Sequence, residues 1–472
     1  MVRESYLTMR NDLYGRTVIY TNADEITKDN IREVLEDAMS VHETNVAQID
    51  YLYEYYRGKT DILNREKTIR SDIVNQIHEA IAKEIVDFKV SYLVGKEIVY
   101  STSNTDISDR VEELNQIMRL CGKAKKDYDL VEWQMIAGTA YRAVFPVEDS
   151  PEGEPTFTVT TVDPRQAFVI YSNDLQKEPM ACVYFYEDGE GITHYWTYTH
   201  DKCFKTNDDD ETVETEDWSL HYLPIIEYPA NNARLGAFEP VIDLLNAIDT
   251  LDSNRLDGVE QIIQALLVLT NCKLPEGETI NTLAQKGVIE LPSDSANPAD
   301  IKLIVEKLDQ QQTQVLKDDF YEAVMSICAM PVRGNGKSTS DNGLAVIYRD
   351  GWTAAETAAR TSQKMIESSE FNALRLMLSI CRDTMSLDIP LRDIKVDFTT
   401  NHYENLELKV QSLIQLLSND KVHPLTAYEV CGLFADPNEK YRLGMEWYFD
   451  QNGEVTDEGS GTDGTDEPSA EV

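Results

Sequence analysis

Apolar residues recur at helical spacing through most of the first 120 residues. An aromatic-rich run over 45–56 stops at Gly58. A second over 73–93, with Ile73, Ile77, Ile81, Ile85 and Phe88 on one stripe, stops at Gly95. Both read as helices closed by glycine. Residues 121–140 predict a further helix around Trp133. Over 141–229 the period drops to two. Thr156-Phe157-Thr158-Val159-Thr160 and His194-Tyr195-Trp196-Thr197-Tyr198 alternate and are rich in β-branched and aromatic residues. Asp163-Pro164, Asp188-Gly189 and the acidic tip Asp208-Asp209-Asp210-Glu211 cut this stretch into short strands.

The second half returns to helical spacing. Residues 239–267 predict one helix, roughly 43 Å long if unbroken. Val241, Leu244, Leu245, Ile248, Leu251, Val259, Ile262, Ile263 and Leu266 form its apolar stripe; Asp243, Asn246, Ser253, Asp257 and Gln264 take the opposite face. Asp252 and Arg255 interrupt the stripe at i,i+3, a spacing that suits an ion pair with each other or with a neighbouring helix or chain. An insert over 270–304 carries turn residues and two short apolar runs, 287–291 and 301–305, that read as strands. The helix predicted over 306–329 buries Leu316, Phe320, Ala323, Val324 and Ile327 and exposes Gln311, Asp318 and Glu322. A polar glycine-rich loop follows, Arg333 to Gly343, and then helix to Met385. Thr353-Ala354-Ala355-Glu356 has the form of a capping box, so this helix restarts or kinks after Gly351. A strand at 393–398 and helices at 404–417 and 426–434 complete the pattern, which defines an α+β, mainly helical chain.

A length of 472 residues suits two to four domains. Charge changes the picture most: 84 acids against 43 Lys and Arg leave a net charge of -41. Proteins that grip nucleic acid neutralise phosphates with cations, so the balance argues against stable duplex binding over a broad surface and leaves a transient encounter open. The seven cysteines are scattered with no Cys-x-x-Cys pair, as expected of reduced thiols. The N-terminus lacks the apolar stretch of a signal peptide, and the run Ala265-Leu266-Leu267-Val268-Leu269 is too short to span a bilayer. The expectation is a soluble intracellular protein with no membrane partner. From Asp450 the sequence is Gly, Ser, Thr, Asp and Glu with no basic residue, which reads as an acidic, disordered tail.

Candidate chemistry is sparse. Gly336-Lys337-Ser338 matches the second half of a nucleotide-binding P-loop, but the first glycine would fall at Pro331, and an amphipathic helix precedes it where a strand is required. His194, His200 and Cys203 lie close in sequence, yet strand alternation scatters their side chains. The tip at 208–211 lacks the turn glycine of an EF-hand loop. No catalytic constellation, cofactor site or metal site emerges.

Several blocks in order resemble the portal proteins of tailed bacteriophages, in particular the SPP1-type subfamily. They are Tyr55-Tyr56-Arg57-Gly58-Lys59 with Ile62, Arg65 and Asn75; Ile85 through Lys96; Val162-Asp163-Pro164-Arg165; Leu223 through Tyr228; and Asp341-Asn342-Gly343-Leu344-Ala345. Glu97 stands where that family commonly has proline. The resemblance implies a portal-type subunit that assembles into a ring, usually dodecameric, at one capsid vertex of the virion. It implies a wing (1–237), a first stem helix (238–269), a small α/β clip (270–305), a second stem helix (306–330), a tunnel loop (331–350), a long kinked helix with a returning wing strand (351–402), a helical crown (403–449) and the tail (450–472). Terminase motor, head-completion adaptor, major capsid and scaffolding proteins would be its partners, with double-stranded DNA passing transiently through the tunnel.

That resemblance gives the charge pattern a purpose. Duplex DNA carries one charge per about 1.7 Å, so a basic tunnel would hold it, whereas an acidic wall lets it slide. Asp243 and Asp257, on the polar face of the first stem helix, are candidates for such a wall. Arg333 and Lys337 are placed for brief phosphate contacts, in a loop whose Asn335, Ser338, Thr339, Ser340, Asp341 and Asn342 present polar groups to DNA. Two readings from other classes stand beside this one: a nucleotide-dependent enzyme built on Lys337, and an intracellular scaffold unrelated to viruses.

Overall fold

The computed structural model describes residues 15–68, 71–151, 153–263, 266–270, 300–304, 310–331, 351–399, 406–434 and 437–452. The chain divides into two compact units. One takes the chain up to Leu93, Lys125–Phe145 and Thr158–Leu376; the other takes Val94–Ala124, Pro146–Phe157 and the chain from Met377. In chain order the elements are β1 (Ile19–Thr21), α1 (Ile31–Tyr56), α2 (Ile81–Val94), β2 (Val99–Ser101), α3 (Ser108–Leu120), α4 (Lys123–Ala137), β3 (Thr139–Pro146), β4 (Phe157–Val162), β5 (Ala167–Ser172), β6 (Pro179–Glu187), β7 (Thr193–Tyr198), β8 (Lys202–Asn207), β9 (Glu214–Asp217), β10 (Ile225–Pro229), α5 (Ile242–Ile263), β11 (Leu266–Thr270), β12 (Asp300–Ile304), α6 (Gln310–Ile327), α7 (Trp352–Met385), β13 (Lys395–Asp397), α8 (Leu406–Leu417), α9 (Pro424–Cys431) and α10 (Pro437–Asn452).

The first unit is built on a six-stranded sheet of order β1-β5-β6-β7-β8-β9, with β1 parallel to β5 and each later neighbour antiparallel. Period-two alternation gives this sheet two distinct faces. One packs on α1, where Ile31, Val34, Leu35 and Ala38 form a stripe against Phe168, Ile170, Val183 and Phe204. This stripe is why α1 begins at Ile31, well before the aromatic run that marks it in the sequence. The opposite face packs Val169, Cys182, Tyr198 and Cys203 on Tyr141, Ala143 and Ile225 of the β10-β3-β4 sheet and on Leu223 just before it. In the second unit β13 pairs antiparallel with β2, and Leu413, Ala427 and Cys431 centre a small core between α8 and α9.

Several expectations need correction. The helix expected over 73–93 begins only at Ile81. The helix expected over 239–267 ends at Ile263, and its last apolar residues form β11, paired with β12. A short aliphatic run fits either element, and the partner strand decides. In α6 the buried stripe is rotated from the predicted one: Val324, Met325 and Cys328 are buried, while Leu316 and Ile327 are 42% and 58% exposed. The last helix of the first unit, α7, starts at Trp352 where Gly351, at φ +80°, turns the chain and its carbonyl accepts from Ala354 and Ala355. Thr353 therefore sits inside the first turn, not at its cap. No helix among the described residues is long and apolar enough to cross a membrane.

A charged cluster lies at the heart of the first unit. Arg142, on β3, is fully buried and donates to Glu370 on α7 at 2.6 Å and to Asp127 on α4. Tyr228, on β10, donates to the same Glu370 oxygen at 2.7 Å and stacks its ring 5.0 Å from the guanidinium. Burial drives the Tyr228 phenol well above its ordinary pKa, so it stays a donor. Replacing Arg142 with Met leaves two buried carboxylates without their cation. It should destabilise the first unit by roughly 3–5 kcal/mol, read from urea unfolding midpoints. Tyr228→Phe removes the hydrogen bond to Glu370 and the longer one accepted from Arg142 at 3.4 Å, but leaves every charge paired, and should cost only about 1–2 kcal/mol. Equal losses for the two variants would show that the cluster is not held by its charge.

Candidate functional site: a clasped helical hairpin

The chain enters α5 through a tightly fixed turn. Glu239 accepts from the Arg16 guanidinium at 2.7 Å, from the Gly15 N–H at 3.1 Å and from the Gly236 N–H at 2.8 Å. Glu227 accepts from Arg234 at 2.6 and 2.9 Å, from Thr139 at 2.8 Å and from Tyr171 at 2.6 Å. Burial opposes ionisation of Glu227, but Arg234, Tyr171 and Thr139 outweigh it and hold its pKa below the ordinary value. Gly138, at φ +79°, makes room for this turn, since a Cβ there would lie 2.0 Å from the Arg234 carbonyl oxygen.

Beyond the turn α5 is enclosed on two sides. Its polar face carries Asp249, Ser253 and Asp257 at successive i,i+4 positions, all 2% exposed or less. An extended segment of the same chain runs antiparallel along them. The Asn75 N–H donates to Asp257 at 2.8 Å, the Ile77 N–H to Ser253 at 2.9 Å and the Glu79 N–H to Asp249 at 3.0 Å. The match is metric. Two residues of extended chain rise about 6.6 Å, and four residues of helix rise about 6 Å. Alternate backbone amides of the segment therefore meet every fourth side chain of the helix. This bonding is why 75–79 are not helical: the Asn75, Ile77 and Glu79 amides serve α5 and not their own i−4 carbonyls.

Flanking contacts close the clasp. Thr60 donates to Asp249 at 3.0 Å, and Tyr55 donates to Asn246 at 2.9 Å. Arg65 and Lys67 pair with Asp257, the former at 3.0 Å. Gly58 turns the chain from α1 into this segment at φ +93°, where a Cβ would strike His78 at 2.6 Å. The two aspartates respond oppositely. Burial raises the pKa of Asp249 despite the Glu79 N–H and Thr60. For Asp257 burial acts upward too, but Lys67, Asn75 and Arg65 overcome it and the pKa falls below the ordinary range.

On its other side α5 pairs with α6. Lys317 bridges Asp252 at 2.8 Å and Glu79 of the clasp at 2.5 Å, and Arg255 donates to Gln314 at 2.8 Å. The contacts 252–317 and 255–314 run in opposite senses, so the helices are antiparallel.

The sequence-predicted residues divide accordingly. Asp243 is exposed on α5. Asp257 is 1% exposed beneath the clasp, so the expected solvent-facing acidic wall does not include it; its charge is spent on Arg65 and Lys67. Asp252 and Arg255 each reach across to α6. The expected loop residues Arg333, Asn335, Lys337, Ser338, Thr339, Ser340, Asp341 and Asn342 lie outside the described residues, as does the expected strand at 287–291. His194 bonds Asp188 at 2.8 Å, the His200 ring lies by the Pro179 and His221 carbonyls, and Cys203 is buried, so the three do not converge. At the acidic tip Arg32 donates to the carbonyls of Asn207, Asp210, Glu211 and Thr212, oxygens a cation would otherwise need. Among the described residues no group of three or more His, Cys, Asp or Glu is placed to hold a metal ion. The clasp residues Arg65, Lys67 and Asn75 had no assigned role in the sequence reading. The i,i+4 spacing of Asp249, Ser253 and Asp257 was the available signal.

Asp257→Asn should release the clasp locally, lowering hydrogen-exchange protection at the Asn75, Ile77 and Glu79 amides by roughly 1–3 kcal/mol. Because the folded pKa of Asp257 is depressed, its contribution is full above the ordinary aspartate value and vanishes as pH falls through the lower folded one. The variant should therefore lose less stability than the wild type across that acid window, and identical acid profiles would refute the assignment.

The blocks that resemble portal proteins hold these posts. Tyr55, Gly58, Arg65 and Asn75 build the clasp, and Glu227 and Tyr228 anchor the two buried networks. Arg165 is gripped by Asp163 and Asp50 over the rings of Tyr53 and Trp133. The family model for SPP1 Gp6-like phage portal proteins matches residues 37–444. The portal protein of Bacillus phage SPP1 is 19% identical over 503 residues, covering 95% of this chain and 96% of that one. A solved structure of the neck of a native GTA particle, computed with C12 symmetry, contains a chain that overlays with a TM-score of 0.43 at 9% identity, over 75% of this chain and 89% of that chain. The chain belongs to the SPP1 Gp6-like family of phage portal proteins.

Proposed function

We propose that the chain is one subunit of a portal ring, the head-to-tail connector through which DNA is packaged into a capsid and later ejected. The family match over residues 37–444 carries this reading. The antiparallel hairpin supports it: α5 leads out into β11, β12 leads back into α6, and the two strands pair. In this reading α5 and α6 are the stem, the segment between them is the clip where motor and adaptor proteins dock, and α8, α9 and α10 belong to the crown. The subunit is structural and has no active site of its own. The assembly is a ring, dodecameric by family resemblance, built into the capsid vertex of the virion together with major capsid and scaffolding proteins.

The clasp gives the stem a mechanical rationale. A helix with hydrogen bonds along its polar face and an ion-paired partner on another keeps its rotation about its own axis, so side chains stay where the ring needs them. Asp243, exposed on α5, is the remaining candidate for an acidic channel wall, and Arg333 and Lys337 for brief contacts with passing phosphates. A net charge of -41 suits a conduit that must not hold DNA.

Electron microscopy of the purified protein should show rings with a central hole; a uniformly monomeric protein that turns over nucleotide would instead favour an enzyme built on Lys337. Lys337→Ala should still assemble rings but alter DNA packaging in a motor-driven assay by several-fold. Unchanged packaging would remove the loop from the mechanism.

A further inference from the structure

The second face of the six-stranded sheet is only partly covered by the smaller sheet. Strand register sets its side chains in rows. Cys182, Tyr198, Cys203 and Glu216 form the first; Tyr184, Trp196, Lys205 and Glu214 the second; Tyr186, His194 and Asn207 the third. The three inner residues of the first row are buried in the core. The other two rows open to solvent: Trp196 is 37% exposed, and Tyr184, Tyr186 and His194 are half-buried. Tyr184 and Tyr186 stack at 6.1 Å between centroids and Tyr186 and His194 at 5.2 Å, and register sets Trp196 opposite Tyr184 on the same face.

Acids rim this platform. Asp188 and Glu190 lie in the turn beyond β6, and Glu214 and Glu216 on the outer strand β9, whose four residues are all exposed. Aromatic faces attract cations, and carboxylates beside them strengthen the attraction. The platform holds one internal example of that contact. The Lys205 ammonium sits 5.2 Å above the Trp196 ring and 2.6 Å from Glu216. The platform's one lysine is already paired with Glu216, so the surrounding acids would repel phosphate-bearing partners. Tyr184 and Tyr186 are two residues apart on one strand, about 6.6 Å, which is the spacing of alternate side chains in an extended peptide. Guanidinium groups also stack on flat rings better than ammonium groups do.

We propose that this face docks an extended, arginine-bearing segment of a partner protein, with guanidinium groups stacked on Tyr184, Tyr186 and Trp196 and paired with Glu214. The surface belongs to a single subunit, so its test does not depend on ring assembly.

The full-length protein labelled with 5-fluorotryptophan supplies the readout, its Trp196 resonance identified through a Trp196→Phe variant. A short synthetic peptide of alternating arginine and serine should shift that resonance. The lysine counterpart should bind several-fold more weakly. The double variant Tyr184→Thr, Tyr186→Thr, which keeps the Trp196 reporter, should weaken arginine-peptide binding several-fold, whereas Asp208→Asn with Asp209→Asn, at the acidic tip, should not. An unmoved Trp196 resonance in the wild type would overturn the proposal whatever the variants do. So would equal loss in the two double variants, which would indicate charge alone. A shift of the same resonance by duplex DNA, or by raising protein concentration without peptide, would also overturn it, by assigning the face to nucleic acid or to a second copy.

Discussion

The ladder of Asp249, Ser253 and Asp257 against the amides of Asn75, Ile77 and Glu79 is the constraint on which the hairpin depends. Burying two aspartates and a row of backbone N–H groups is unfavourable unless each finds a partner. Here each set satisfies the other. The arrangement tolerates almost no slippage: rotating α5 by one residue would strand both carboxylates in the interior and leave the amides unpaired. Apolar packing alone lacks that discrimination, since neighbouring leucines and isoleucines can exchange places at modest cost. The polar ladder therefore fixes rotation, while the apolar stripe supplies most of the adhesion.

Register at one end of the helix is transmitted to the rest by further buried charge. Arg16 and Glu239 fix the residue at which the helix starts, and Lys317 ties its middle to both α6 and the clasp through Asp252 and Glu79. Arg142 then joins β3 to α4 and α7. In each case one side chain holds elements far apart in sequence. Buried pairs of this kind resist slippage, because shifting either element would leave a charge in the interior without its partner.

Much of this was legible in the sequence and some was not, for physical reasons. The change from helical to period-two spacing near Tyr141 located the β-rich unit, because alternation reflects two unlike faces. The acidic stem face was misread at Asp257. Its spacing correctly marked a polar stripe, but a stripe of aspartate and serine has the same pattern whether water or a backbone covers it. The segment 73–80 failed for the complementary reason. Its isoleucines fit a helix, and nothing local reveals that its amides are claimed by side chains some 180 residues away. In α6 the predicted stripe was rotated because Leu316 and Ile327 are apolar yet exposed, and periodicity records hydrophobicity, not contact. Tyr55, Gly58, Arg65 and Asn75 carry the family resemblance, but their roles are long-range and no local pattern reveals them.

These contacts also explain where the charge imbalance ends up. Arg16, Arg65, Lys67, Arg142, Arg234 and Lys317 are each committed to a carboxylate inside the first unit. These pairs withdraw carboxylates in about the same number as cations, so the surplus behind the net charge of -41 stays on the exterior. An acidic exterior lowers affinity for duplex DNA at every point of contact, the condition for transit without capture. It simultaneously raises the rate at which basic protein partners arrive, since oppositely charged surfaces steer encounter. One acidic exterior thus acts on both kinds of encounter, disfavouring duplex DNA and favouring basic proteins.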